Sequence, residues 1–131
     1  MPSSERVEAY AHAIKLTENE LNVNPRNAKN WARIASWRVV SDKDRAIKEI
    51  GEALRLNPRD NFVLARAASV YEQSGMREEA LVAVNSAVEL GFPVAQLRSW
   101  PVLAQLLQDP RCTLAVEKKP TDGPSAPTGP K

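Results

Sequence analysis

Leu21-Asn22-Val23-Asn24-Pro25-Arg26-Asn27 returns 33 residues later as Leu54-Arg55-Leu56-Asn57-Pro58-Arg59-Asp60. The register extends in both directions. Upstream, Ala13-Ile14-Lys15 falls on Ala46-Ile47-Lys48, and a further step of 34 carries Ala46-Ile47 to Ala80-Leu81 and Leu54-Arg55-Leu56 to Val88-Glu89-Leu90. Downstream, Trp31-x-x-Ile34-Ala35 returns as Leu64-x-x-Ala67-Ala68. One segment occurs three times and its companion twice, so the complete unit is a pair of helices. A repeat of this length marks supersecondary units that bury their apolar faces by stacking on one another.

The residue types inside the repeat have a packing logic. Small residues at Ala35, Ala46, Ala53, Ala68, Ala80 and Ala87 let helices approach closely, and Trp31, Ile34, Ile50, Leu64, Tyr71 and Val84 fill the space around them. Asn27 and Asp60 stand where side-chain oxygens can accept the free amides of a helix's first turn. Pro25 and Pro58 stop the preceding helix. Gly75 can adopt the left-handed conformation that closes one helix before the next begins near Met76.

This arrangement resembles the tetratricopeptide repeat, whose pattern is W-x₂-L-G-x₂-Y, then A-x₃-F, then P. The second copy carries Leu64, Ala67, Ala68 and Tyr71, Gly75 in the turn, Ala80-x₃-Val84, Ala87 and a late Pro93. The first carries Trp31, Ile34, Ala35, Ala46-x₃-Ile50, Ala53 and Pro58, and it departs from the pattern at Arg38, where tyrosine is expected, and in a turn one residue short at Ser41-Asp42. The resemblance implies an all-α fold, a short α-solenoid of antiparallel helix pairs wound as a right-handed superhelix, with capping helices and a disordered C-terminal tail.

The expected organisation is a helical domain over 1–116: a half-repeat or cap at 1–24, repeats at 25–59 and 60–93, and closing helices at 94–116. The N-terminal segment, about Ser4 to Asn24, matches only the second helix of a unit, with Glu20 in place of Ala53 and Ala87. It reads either as a natural cap or as the edge of a longer array. After Gly91-Phe92-Pro93 the pattern gives way to short helices expected over Val94–Ser99, Pro101–Gln108 and Pro110 to about Val116, with Ser99 and Asp109 as caps. This stretch is similar to the closing segment of tetratricopeptide domains in bacterial multidomain regulators such as serine/threonine kinases and nucleotide cyclases, although Cys112 stands where phenylalanine commonly follows Asp-Pro-Arg. Residues 117–131, rich in Pro, Gly, Ser and Thr without apolar periodicity, are expected to be disordered.

Composition excludes several classes. Aromatic residues make up only 5% and glycines number 5 in 131 residues, against recurrent Ala, Leu, Glu, Arg and Val, which favours helices. A formal net charge of +2 from 18 basic and 16 acidic residues leaves no field to draw nucleic acid or anionic lipid. No run approaches the ~18 apolar residues of a membrane span, and Met1-Pro2-Ser3-Ser4-Glu5-Arg6 lacks the apolar core of a secretory signal. The single cysteine, Cys112, can form no internal disulfide and suits a reducing, cytoplasmic setting. Catalysis has few groups to use: the one histidine, His12, belongs to the N-terminal helix, and no motif joins it to Cys112 and a third group. No P-loop, G-x-G-x-x-G, H-E-x-x-H or Cys/His cluster is present. The chain is therefore read as a non-enzyme with no catalytic, cofactor or metal residues. Gly51, inside a helix, is read as close backbone approach or simple tolerance.

By the resemblance, the first helix of each unit lines a concave groove. Setting aside packing positions leaves Lys29, Ala32, Arg33, Ser36, Val39 and Val40 from the first copy, and Phe62, Ala65, Arg66, Ser69, Glu72 and Gln73 from the second. Lys29, Arg33, Ser36, Phe62, Arg66, Ser69 and Gln73 are the expected groove residues for a protein or peptide partner. Arg33 and Arg66 are related by the repeat step, as are Ser36 and Ser69, so each pair should stack. Two arginines together could hold a carboxylate, against the alternative that they are solvated or paired with acids such as Glu72. Phe62 is either a contact anchor or a packing residue against Val94, and Trp37 is open in the same way. Trp31 is expected in the core and Trp100 as a plug for the C-terminal end. Chaperone-binding members of the family hold a terminal carboxylate with lysine and asparagine on successive first helices. The corresponding sites here are Ala32 and Ser36, with only Arg66 as a partial match, so that specialised activity is not expected. The leading reading is a scaffold or adaptor binding a peptide or helix; the alternatives are self-association through the incomplete N-terminal unit, or an intramolecular regulatory role in a larger bacterial signalling protein.

Overall fold

The helix boundaries follow from the caps. In the computed structural model, which describes residues 3–113, the Asn27 side chain accepts the amide of Asn30 at 3.1 Å and opens α2 (Ala28–Arg38). Asp60 accepts the amides of Phe62 and Val63 at 2.8 and 3.1 Å and opens α4 (Asn61–Gln73). Asp42, in the short turn, does the same for Arg45 at 3.1 Å and starts α3 (Lys43–Leu56). Each cap satisfies amides that the helix itself leaves unpaired.

Glycine closes the helices of the second copy. Gly75 has φ +78°, and its amide bonds to the Glu72 carbonyl at 3.2 Å while Met76 N–H reaches back to Tyr71 at 2.8 Å. This paired closure requires a left-handed residue. The same closure recurs at Gly91, φ +97°, where the Phe92 amide reaches Ala87 at 2.9 Å and ends α5 (Arg77–Glu89).

The described residues form α-helices and one 3₁₀ turn, with no strand among them. α1 (Ser3–Val23) packs on α2, α2 on α3, and α4 on α5; α2 and α3 both also contact α4. Every alanine of the predicted register, Ala35, Ala46, Ala53, Ala68, Ala80 and Ala87, has no exposed surface, and Ile34, Ile50 and Val84 fill the space around them. Trp31 and Tyr71 differ from expectation in sitting half-buried at the core margin. The Trp31 indole N–H explains its place, since it donates to the Pro25 carbonyl at 2.8 Å and keeps one end of the ring at the surface.

Arg38, one repeat step before Tyr71, makes an ion pair. Its Nε donates to both oxygens of Glu49 at 3.1 and 3.0 Å, and Nη2 donates to Glu18 of α1 at 2.9 Å. Glu49 is only 7% exposed. Burial alone would lower the Arg38 pKa, but its hydrogen bonds to the Glu49 and Glu18 carboxylates outweigh that and raise it.

The closing segment is shorter than predicted. α6 (Val94–Arg98), the 3₁₀ turn Pro101–Leu103 and α7 (Ala104–Gln108) bury Leu97, Leu103 and Leu106 completely. No helix starts at Pro110: residues 110–113 are turns, in which Asp109 accepts the Arg111 amide at 2.9 Å through its side chain and the Cys112 amide at 2.9 Å through its carbonyl. Asp109 is also bound by Arg111 and Arg77, which with that amide hold its carboxyl well below the usual carboxylate range. Ser99 is not an N-cap either; its hydroxyl donates to the Gln96 carbonyl at 2.6 Å and closes α6. The end of the predicted closing helix and the tail at 117–131 lie outside the described residues.

Candidate functional site

The site is assembled around α4. Phe62 stands in its first turn, just after the Asp60 cap, and Arg66 follows four residues later on the same face. The Arg66 guanidinium lies 5.1 Å from the centre of the Phe62 ring and 4.8 Å from that of Trp100. Arg33, from α2, lies 5.1 Å from the same Phe62 ring. Trp100 in turn meets Phe92 edge to face, with centroids 5.7 Å apart at 60°. The result is a ladder of alternating cations and rings running from α2 across α4 to the closing segment, within the range where such contacts are attractive.

Arg33 and Arg66 are thus brought together as their sequence relation suggests, with Phe62 shared between them. Neither is paired with Glu72, whose carboxylate is taken by Arg77 at 2.6 Å. Among the described residues Arg33 donates only to the neutral Asn30 side chain, at 2.9 Å. Arg66 has a buried Nε–H that finds no acceptor among the described residues. Burial pushes its pKa down, the positive charge of Arg33 adds to that, and Tyr10 partly offsets both.

Beside the ladder lies a cleft of about 230 Å³. α4 contributes Arg66, Ser69 and Gln73, and α2 contributes Ser36, Trp37 and Val40. Arg6 and Tyr10 of α1 form another part of the wall, with Trp100, Pro101 and Val102 completing it. Four of the expected groove residues, Ser36, Arg66, Ser69 and Gln73, therefore line one cleft, and Arg33 and Phe62 adjoin it through Arg66. Lys29 is engaged elsewhere, pairing with the Asp60 carboxylate. The polar groups of the cleft are already partly occupied: the Ser36 hydroxyl donates to the Arg33 carbonyl at 2.8 Å, and the Gln73 amide donates to the Ser69 hydroxyl at 3.1 Å. Ser69 itself is 5% exposed, deeper than a groove-facing residue would be.

Three predicted groove positions are core instead. Ala32, Val39 and Ala65 have 0%, 1% and 0% exposure. α2 contacts α1, α3 and α4, and α4 contacts α2, α3, α5 and the 3₁₀ turn, so each helix is covered on more faces than a repeat pattern alone conveys. Glu72 is likewise turned toward α5 by Arg77.

Arg6, Tyr10 and Trp100 were not legible as site residues. The available signal was length: α1 has 21 residues, against 14 in α3 and 13 in α5. The surplus is at its N-terminal end, and from there Arg6 and Tyr10 reach the cleft. Trp100, expected as an end plug, is half-buried and faces Arg66.

A second hollow, about 460 Å³, is lined by Leu54, Leu64, Tyr71, Val82 and Ala83 with Glu78 and Glu79. It offers apolar surface and few directional groups. His12 is exposed on α1, while Cys112 is fully buried. No helix among the described residues is long and apolar enough to cross a membrane. No protein-family model and no curated protein matches this chain.

Proposed function

We propose that this chain is a protein-binding module, a short tetratricopeptide-type solenoid of antiparallel helix pairs that holds a peptide or helix of a partner against α2 and α4. The observation that carries the reading is the cleft bounded by α1, α2, α4 and the 3₁₀ turn, with a half-buried aromatic and two unpaired arginines beside it. Aromatic and arginine side chains held rigid at a concave surface are the usual anchors of a protein interface. The repeat step of 33 to 34 residues and the fully buried alanines support the stacked-pair reading. Binding rather than chemistry is the role assigned, in a reducing, cytoplasmic setting that suits the lone cysteine.

The test is affinity capture from the native lysate with the intact chain and with a Phe62→Ala/Arg66→Glu double variant. The expected result is saturable retention of a partner that the double variant loses while its thermal unfolding stays cooperative. Equal retention by both would sink the reading. Self-association is a second reading, favoured by Val7, Leu16 and Val23 of α1, which are 44%, 51% and 87% exposed. A sedimentation coefficient independent of concentration would remove it.

A further inference from the structure

Five of the 11 arginines are neutralised within the protein. Arg38, Arg45, Arg55, Arg77 and Arg111 each make an ion pair, with Glu18, Glu49, Glu52, Glu72, Glu78 or Asp109. Among the described residues no ion pair engages Arg6, Arg26, Arg33, Arg59, Arg66 or Arg98, and of these Arg6, Arg33 and Arg66 come from three different helices around one concavity. The chain holds 16 acidic residues, yet none lines the cleft. Positive charge has been gathered there without its counter-charge.

We infer that this cleft takes the side-chain carboxylates of an acidic segment of the partner, with Arg66 as the anchoring cation. The inference rests on the groove reading above and adds the chemistry of the occupant. Phe62 and Trp100 hold the Arg66 guanidinium near their rings, at 5.1 and 4.8 Å from the ring centres, and a planar guanidinium fixed in this way can donate two parallel hydrogen bonds to a carboxylate. Burial leaves the Arg66 Nε–H without an acceptor among the described residues, so the guanidinium is under-bonded, and a carboxylate drawn against its outer nitrogens supplies hydrogen bonds that the protein does not. Ser36 and Gln73 are already bonded within the protein, which leaves the arginines as the principal donors.

Size and number identify the form of the anion. A volume of about 230 Å³ admits a side chain and falls below the roughly 300–1,000 Å³ typical of small-molecule sites. Three arginines spread over three helices match carboxylates that recur along a chain, whereas a chain terminus supplies one. Tyr10 and Trp37 in the same wall add apolar surface for the stems of glutamate side chains.

The test uses the full chain labelled for NMR, following the arginine Nε–Hε signals at low ionic strength, where screening is weak. The probes are acetyl-hexaglutamate amide, acetyl-hexaglutamine amide, N-acetylalanine and inorganic phosphate. Hexaglutamate should shift Arg66 and Arg33 saturably and hexaglutamine should not. Arg66→Gln should weaken hexaglutamate binding by about tenfold, the loss expected for one charge-assisted contact, while Arg59→Gln, an exposed arginine outside the cleft, should change it less than about twofold. Should Arg66→Gln fail to fold, Arg66→Lys keeps the charge, gives up the planar fork, and should still lose several-fold. Shifts that do not saturate, or that survive the Arg66 variants, overturn the inference. So does saturation by N-acetylalanine or phosphate without hexaglutamate, which would mean a terminus or a phosphate is the true ligand. These probes carry no partner sequence, so a failed titration leaves the capture experiment standing, and a failed capture leaves the titration standing.

Discussion

The two complete copies of the repeat solve the same packing problem with different chemistry. In the second copy the positions are Tyr71 and Ala83, a ring and a small residue that line one hollow where α4 lies on α5. In the first copy the same positions are Arg38 and Glu49, a bidentate ion pair whose side chains are 12% and 8% exposed. The difference follows from what lies on the other side. The arginine reaches a third helix, bonding Glu18 of α1 at 2.9 Å, so the first copy is tied to the N-terminal helix by charge. The second copy meets its closing segment through apolar burial of Leu97, Leu103 and Leu106, with Asp109 and the arginines around it at the edge. A repeat register therefore determines where side chains meet and leaves open what they are made of.

Breaking the ion pair should have the largest effect. Glu49→Ala leaves Arg38 nearly buried with only the half-exposed Glu18 for company, and the expected loss is about 3 kcal/mol in denaturant unfolding. The matching experiment installs the second copy's solution in the first. Arg38→Tyr with Glu49→Ala removes both charges together, and the double variant should lie within about 1 kcal/mol of the parent, because replacing a buried pair costs far less than halving it. A double variant as unstable as Glu49→Ala would mean that the two copies are not interchangeable at this position.

The turns offer the next contrast. The second copy closes α4 with Gly75 at φ +78°, while the first closes α2 without glycine, the Ser41 and Asp42 amides both bonding to the Arg38 carbonyl at 3.0 and 2.8 Å. A Cβ at Gly75 would meet no atom within 4 Å, so the cost of Gly75→Ala is purely conformational. We expect a loss of about 1–2 kcal/mol, read as a lower denaturant midpoint with unchanged slope. A neutral result would show that the turn can re-form without its left-handed residue.

These contrasts also mark what was legible in the sequence. Caps, turn glycines and the alanine register depend on neighbours a few residues away or on the repeat step, and Asn27, Asp60, Gly75 and the six alanines stand where the pattern places them. The groove was legible only in part. Arg33 and Arg66 lie together as the repeat step implies and Phe62, singled out as an aromatic at the start of α4, lies between them, whereas Ala32, Val39 and Ala65 are buried by helices from elsewhere in the chain. Arg6 lies in the part of α1 that extends beyond the helix it matches, Tyr10 falls at that helix's edge on Lys43, and Trp100 lies past the last copy, so the register did not point to them. Glu49 was hidden for the opposite reason: it occupies a repeat position, but its burial makes sense only once Arg38, which stands where the other copy has Tyr71, is seen to pair with it.

The smallest expected effect comes from one more matched position. Gly51 of α3 corresponds to Asn85 of α5, and the two differ because only one has a neighbour to hold. Asn85 donates to the Arg111 carbonyl at 3.3 Å and accepts the Thr113 amide at 2.9 Å, anchoring the end of the closing segment. Gly51 is exposed within a helix, and a Cβ there would meet nothing within 4 Å. Neither a turn nor a close approach requires glycine at this place, so Gly51→Ala should stabilise the protein by about 0.5–1 kcal/mol by restricting the unfolded chain and favouring the helix. The expected sign is what matters, since it is opposite to that at Gly75. If Gly51→Ala destabilises instead, α3 must be contacted at that face by a segment or molecule that needs the missing side chain, and the first copy would have an anchoring partner of its own, as the second has at Asn85.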